Sequence, residues 1–182
     1  MAEPYVPARE HAEMFRALFG GMDTDRPLEI LDAGAGRTSL RLLLDTFPQG
    51  RVDAVTYPGD LRKINSIKES VPEGNYQLME HDLCGGVGRD YDIVVAHLLL
   101  GEATKFGNAF ASLLEGLFSI PCRYLAVIDF PEDPRVDFAA VLRCAGAHQF
   151  VPINACVVER ATPFIGKSVI GHRYLGYLFE HI

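Results

Sequence analysis

An α/β fold, a single three-layer doubly wound sheet, is predicted by three features of this 182-residue chain. Apolar runs of strand length alternate with amphipathic segments of helical period through most of the sequence, the pattern of a parallel sheet covered on both faces. A glycine bend follows the first such run directly and leads into a helix. The last two strand-like segments have no helix between them, so they pair antiparallel. Seven strands result, mostly parallel, with an antiparallel C-terminal strand.

The elements follow in order. Pro4 and Pro7 precede a short helix, His11 to Phe19, with Met14, Phe15, Leu18 and Phe19 on one side; Gly20 stops it. Leu28–Leu31 reads as a buried strand. Thr38–Phe47 places Leu40, Leu43, Leu44 and Phe47 at helical spacing. "RVDAVTY" is a strand, "GDLRKINSIKES" a helix, and "YQLMEH" and "YDIVVAH" are strands separated by the glycine-rich "CGGVGRD". Phe106 to Phe118 has a helical apolar stripe. "RYLAVIDF" is a strand, "DPRVDFAAVLRCAGA" a helix opened by its proline, and "QFVPINACVVE" and "HRYLGYLFEHI" the closing strands, joined by non-helical "RATPFIGKSVIG". The division is an N-terminal helical segment over residues 1–25, a candidate lid, and one domain over 26–182.

Composition excludes several classes. Apolar residues make up 48% of the chain, enough for a packed core, and no apolar run reaches membrane-spanning length. The N-terminus carries acids early and lacks a basic-then-apolar leader, which leads us to expect a cytoplasmic protein. A net charge of −7 argues against nucleic acid as the main partner, because phosphate neutralisation needs a basic face. From Arg135 onward the balance turns basic, and Arg160, Lys167 and Arg173 could form a small positive patch or simply a solvated surface. Cys84, Cys122, Cys144 and Cys156 show no C-x-x-C pairing, so no metal site is expected and all four read as reduced.

The bend itself is "LDAGAG", Leu31 to Gly36. In an open parallel sheet, ligands bind beyond the carboxyl ends of the strands. Gly34 and Gly36 let the backbone turn and approach a ligand, and the next helix offers its N–H groups. A dinucleotide loop would need a third glycine at position 39, which is Ser. Asp32 also puts negative charge where a pyrophosphate would lie. The charge suits a cationic ligand instead, such as the ammonium of an amino acid.

These residues resemble the first motif of the class I S-adenosylmethionine-dependent methyltransferases: a hydrophobic run, then acid-x-Gly-x-Gly. The family's third glycine falls on Thr38 here. The resemblance implies S-adenosylmethionine as cofactor, held at Asp32, Gly34, Ala35 and Gly36. The family's ribose-binding acid after the second strand aligns with Thr56, so Asp60 or Tyr57 would take over that contact. "HDL" supplies Asp82 and Leu83 where the family binds the adenine amino group. The order of strands and the final antiparallel strand also match, over about residues 26–182.

Methyl transfer needs alignment of nucleophile, methyl and sulfur, and for some acceptors removal of a proton. His97 and Glu102, after the fourth strand, are the candidates for that proton, and His97 would also face the cofactor. Each has a plain alternative: His97 as a strand-end histidine satisfied by backbone, Glu102 as a helix cap. His11 could reach over the pocket if its helix is a lid. "AHLLLGEA" lacks the Asn/Asp-Pro-Pro-Tyr signature of amino-methylating nucleic-acid or glutamine enzymes. Asp129, Glu132 and Asp133 could hold a divalent ion or serve as caps. The expected reading is a methyltransferase for a small molecule or peptide, with no membrane partner, and with substrate contacts supplied by this chain or by a second subunit of a homodimer. The alternative is a methyltransferase-like cofactor-binding or scaffold protein without turnover. A nicotinamide-dependent reductase would need the third glycine and ribose acid that are missing.

Overall fold

The computed structural model describes residues 5–103, 110–165 and 170–182. Helices are α1 (Arg9–Phe19), α2 (Arg37–Thr46), α3 (Leu61–Ser70), α4 (Leu100–Ala103), α5 (Phe110–Phe118) and α6 (Phe138–Ala147). Strands are β1 (Glu29–Ala33), β2 (Arg51–Thr56), β3 (Tyr76–Glu80), β4 (Tyr91–His97), β5 (Cys122–Asp129), β6 (Phe150–Ile165) and β7 (Ile170–His181). They form one seven-stranded sheet in the order β3-β2-β1-β4-β5-β7-β6. Pairing is parallel from β3 through β5, and β7 is antiparallel to both its neighbours.

Strand alternation sorts the core into two layers. Ile30, Val52, Ile93, Val95 and Ile128 face α1, α2 and α3, whereas Leu31, Val94, Leu125 and Val127 face α5 and α6. Met14, Phe15, Leu18 and Phe19 are each 1% exposed, so α1 is a core element. Burial of such side chains stabilises by about 1.5–3 kcal/mol apiece. Asn154 ties α1 down further by donating to the Ala17 and Leu18 carbonyls. Among the described residues, no helix is long and apolar enough to cross a membrane.

Four expectations need correction. β1 runs through Ala33, so Asp32 is a strand residue; its backbone pairs with β2 and β4 on both sides. The helix expected from Asp133 begins at Phe138, because Arg135 clamps Asp133 into a turn and Asp137 caps the helix by accepting the Ala140 amide. The "RATPFIGKSVIG" segment is strand up to Ile165 and again from Ile170, since β6 and β7 continue pairing past the sheet. A short helix, α4, follows β4; the first part of the expected helix Phe106–Phe118 lies outside the described residues.

Candidate functional site at the carboxyl edge of the sheet

Chain connections from β1 and β4 leave in opposite directions, which opens a crevice at their carboxyl ends. The bend after β1 sits there. Gly34 has φ +73, and a Cβ on it would lie 2.4 Å from Leu99 Cδ1. Only glycine adopts that conformation without cost, and nothing larger fits. The Ala35 amide donates to the Val55 carbonyl at 2.7 Å, which ties the bend to β2, and Ala35 is fully buried. Gly36 precedes α2 in extended conformation, and its amide donates to Ser39 Oγ at 3.0 Å.

The Ser39 hydroxyl donates in turn to Asp32 Oδ2 at 2.8 Å. Asp32 is fully buried, and its Oδ1 has no hydrogen-bond partner among the described residues. Burial pushes its carboxyl up to about 7, against the pull of the Ser39 hydrogen bond and the Lys63 charge. A buried carboxylate oxygen without a donor costs stability unless a ligand completes it. The site therefore lacks a donor, preferably a cationic one.

Beside the bend, the Lys63 ammonium donates to the Gly34 carbonyl at 3.2 Å and pairs with Glu102 Oε2 at 3.6 Å. Sequence reasoning missed Lys63; the signal was its place in the first turn of a helix that starts at the carboxyl edge. Asp60 caps that helix, its Oδ1 accepting the Lys63 amide at 3.2 Å. Thr56 is buried and donates to the Met79 carbonyl at 3.5 Å, while Tyr57 is half-buried. Asp82 is exposed and accepts the Cys84 amide at 3.1 Å, with Leu83 buried beside it. On the other flank, Tyr5 OH bonds Thr38 Oγ1 at 2.7 Å and Arg37 lies over the Tyr5 ring, so the N-terminal segment covers the start of α2.

His97 ends β4 on the same face of the sheet as Asp32, one pleat further along the adjacent strand. Its Nε2 lies 2.9 Å from His11 Nδ1, and His11 Nε2 lies 3.0 Å from Tyr174 OH. The structure thus joins His97 to His11 and adds Tyr174, which the sequence presented only as a strand former. Burial, then His11 and Lys63, hold His97 well below 6.5; burial and Arg160 lower His11 to about 4. Both rings are neutral at pH 7. Phe15 packs edge-on against His97, and Phe130 stacks on Tyr174 with centroids 5.0 Å apart. Immediately after His97, Leu98 has φ +54, a strained conformation for leucine. That turn directs Leu99 onto Gly34.

The acids after β5 are separated rather than gathered. Asp129 accepts the Gly101 and Phe130 amides, Glu132 pairs with Arg173 at 2.8 Å, and Asp133 with Arg135 at 2.6 Å. Burial raises Asp129 to about 6. Arg160 lies over the rings of Tyr174 and Phe130, at 5.1 and 6.0 Å from their centroids, and Lys167 is outside the described residues. All four cysteines are free and partly buried.

No protein-family model matches the chain, and no curated protein matches it in sequence. Solved structures do match. A candidate RNA methyltransferase from Pyrococcus horikoshii superposes with TM-score 0.72 at 18% identity, covering 99% of this chain and 88% of that one. Magnesium protoporphyrin IX methyltransferase from Synechocystis PCC 6803, solved with bound S-adenosylmethionine, gives 0.69 at 16% identity over 95% of this chain and 80% of that one. A TehB-like S-adenosylmethionine-dependent methyltransferase from Corynebacterium glutamicum gives 0.62 at 19% identity over 95% and 88%. With its strand order, its reversed β7 and its glycine bend at the switch point, the chain has the fold of the class I S-adenosylmethionine-dependent methyltransferases.

Proposed function

We propose that the protein is an S-adenosylmethionine-dependent methyltransferase acting on a small molecule or peptide. One observation carries this reading: the buried, unpartnered Oδ1 of Asp32 beneath the left-handed bend at Gly34. The residues fit the cofactor. Asp32 would meet its ammonium group, directly or through water. Gly34, Ala35 and Gly36 would give it backbone contact, and Asp82 with Leu83 would flank the adenine. With the ribose acid missing at Thr56, Lys63 and Glu102 would offer a donor and an acceptor to ribose hydroxyls, with Asp60 capping the helix that carries Lys63 and Tyr57 three residues before Asp60 in the chain. When bound, S-adenosylmethionine supplies a methyl group on a positively charged sulfur.

The chain's own part is to hold the acceptor in line and to take its proton. His97 is neutral and buried, and it ends β4 at the carboxyl edge of the sheet. In one tautomer of the hydrogen-bonded series, His97 Nε2–H donates to His11 Nδ1 and His11 Nε2–H donates to Tyr174 O, which leaves His97 Nδ1 as a base. A proton taken there makes His97 an imidazolium whose Nε2 proton is shared with His11 Nδ1, while His11 Nε2–H keeps its bond to the Tyr174 oxygen; the charge stays on the His97–His11 pair until the proton returns to solvent with the product. Phe15, Phe130 and the helix α1 keep water from this series. The chain's acidity supports a small molecule or peptide over nucleic acid as acceptor. Val151, Ile153 and Val157, exposed along the edge strand β6, favour a second copy there.

Lys63 favours the second reading, a cofactor-binding protein without turnover, because its ammonium on the Gly34 carbonyl competes with a cationic ligand. Incubation with methyl-labelled S-adenosylmethionine and a panel of phenols, carboxylates, amines and short peptides separates the two. Transfer that His97→Ala reduces supports the enzyme; binding with no transfer to any acceptor supports the alternative.

A further inference from the structure

At the opposite edge of the sheet, α5 and α6 bring together three side chains that the methyl-transfer reading does not use. We propose that Glu115, Cys144 and His148 form a site for a thiophilic divalent ion of the zinc class, with an exchangeable fourth ligand. Cys144 and His148 are four residues apart, so one face of α6 presents both. Glu115 reaches them from α5 and places one oxygen toward each. Its Oε2 is 2.8 Å from His148 Nε2, and its Oε1 is 3.8 Å from Cys144 Sγ. All three donor atoms lie within 4.8 Å of one another.

Tetrahedral zinc, with bonds of about 2.0–2.3 Å, keeps its ligand atoms about 3.3–3.8 Å apart. The Glu115 Oε1–Cys144 Sγ spacing is already at that limit. For one Glu115 oxygen to serve the ion, the carboxylate turns, its contact with His148 opens by about half an ångström, and donor atoms now within 4.8 Å of one another close by up to about 1 Å, within the reach of side-chain rotamers. One sulfur, one imidazole nitrogen and one carboxylate oxygen make a donor set that selects zinc-like ions over calcium or magnesium, which take oxygen.

The histidine is held in place before any ion arrives. Its amide donates to the Cys144 carbonyl, so the last turn of α6 sets the separation of the two ligands. Phe118 stacks on its ring with centroids 6.3 Å apart. Gln149, at φ +61, then turns the chain sharply into β6 and keeps His148 at the helix end. A left-handed glutamine there costs about 1 kcal/mol that a plain surface turn would avoid with glycine.

Access is open. The Glu115 side chain is 66% exposed, and a cavity of about 500 Å³ lies alongside, lined by Phe118, Pro121, Cys122, His148, Phe150 and His181. The exposed Glu115 leaves the fourth position of the ion to a water, the arrangement of zinc sites that do more than brace a fold, and His148 alone of the three ligands lines the cavity. Binding releases the Cys144 thiol proton to solvent, moves the His148 proton from Nε2 to Nδ1 by exchange with solvent, and replaces the Glu115–His148 hydrogen bond with two metal bonds.

The test uses the full chain, stripped with chelator and titrated with Co²⁺ and then Zn²⁺. One equivalent of Co²⁺ should bind and give a near-ultraviolet thiolate-to-cobalt band, which one equivalent of Zn²⁺ removes. Zn²⁺ should raise the melting temperature. Cys144→Ser should abolish the band, and His148→Gln and Glu115→Gln should each weaken Co²⁺ binding by about tenfold or more. Should Cys144→Ser fold poorly, the two other variants and Cys144→Ala carry the same test. Three results would overturn the proposal: no uptake of ion, a thiolate band that survives loss of the Cys144 sulfur, or an affinity indifferent to His148→Gln.

Discussion

Replacing Asp32 by asparagine tests the site through its charge while keeping its shape. In the folded protein this carboxyl titrates at about 7, raised by burial. An unfolded aspartate titrates near ~3.9. Between those values the folded chain keeps a proton that the unfolded chain has lost, so Asp32 makes stability fall as pH rises from about 4 to about 7, with no further loss above. Three pKa units at 1.36 kcal/mol each set the size at about 4 kcal/mol. Asp32→Asn removes that slope. The amide oxygen keeps the Ser39 hydrogen bond, but the amide nitrogen stands where Oδ1 has no partner, at a cost of about 1–3 kcal/mol. The variant should therefore exceed the wild type by about 1–3 kcal/mol at pH 8, or about 2–12 °C in melting temperature, and show no gain near pH 4. Its affinity for S-adenosylmethionine should fall as its stability rises. Wild-type affinity should climb with pH up to about 7, as Asp32 ionises, and decline above about 8, as the ligand's α-amino group loses its proton. Melting curves and calorimetric titrations at four pH values measure both effects. Parallel pH profiles for variant and wild type, or a variant less stable at pH 8, would refute the reasoning.

Gly34→Val should abolish cofactor binding and destabilise the fold by about 1–3 kcal/mol, because the new Cβ meets Leu99 at 2.4 Å in a left-handed conformation; thermal melts and titration check both. His97→Ala should lower the rate for a protonated acceptor by about 10²–10⁴-fold, and Tyr174→Phe by a smaller factor, with KM little changed in each. Because His97 is held neutral, the wild-type kcat at saturating cofactor should stay level from pH 8 down to 6.5; His97 by itself lowers stability below that pH, as the unfolded histidine takes up a proton, against the opposite slope of Asp32, and His97→Ala should remove the histidine slope. Asp82→Ala should weaken cofactor binding by about 1–3 kcal/mol if its carboxylate bonds the adenine amine; an unchanged Kd would move the adenine elsewhere.

The parts of this molecule that repeat were legible in the sequence. Tyr91–His97 and Arg51–Thr56 are strands because apolar β-formers fill both faces of a buried parallel sheet, and Asp32 with Gly34 announced a bend through the one residue type that tolerates it. What escaped depends on side chains that meet across long separations. Tyr174 joins His11 over 163 residues, and Lys63 reaches Gly34 over 29. Local pattern carries no record of such meetings. The turn at Asp133–Val136 escaped for a different reason: a helix-like proline signal lost to the Asp133–Arg135 clamp. Cys144 and His148 do stand at helical spacing, but a search for paired cysteines passes over them, and Glu115 joins them only once α5 packs on α6.

Titrating the purified chain side by side with S-adenosylmethionine and with oxidised nicotinamide dinucleotide tests the central claim most directly. A buried carboxylate under the bend should admit the cationic amino-acid nucleoside and repel the pyrophosphate. We expect saturable heat with the first ligand, none with the second, and loss of the first in Asp32→Asn. Heat with the dinucleotide alone, or none with either, would contradict the account.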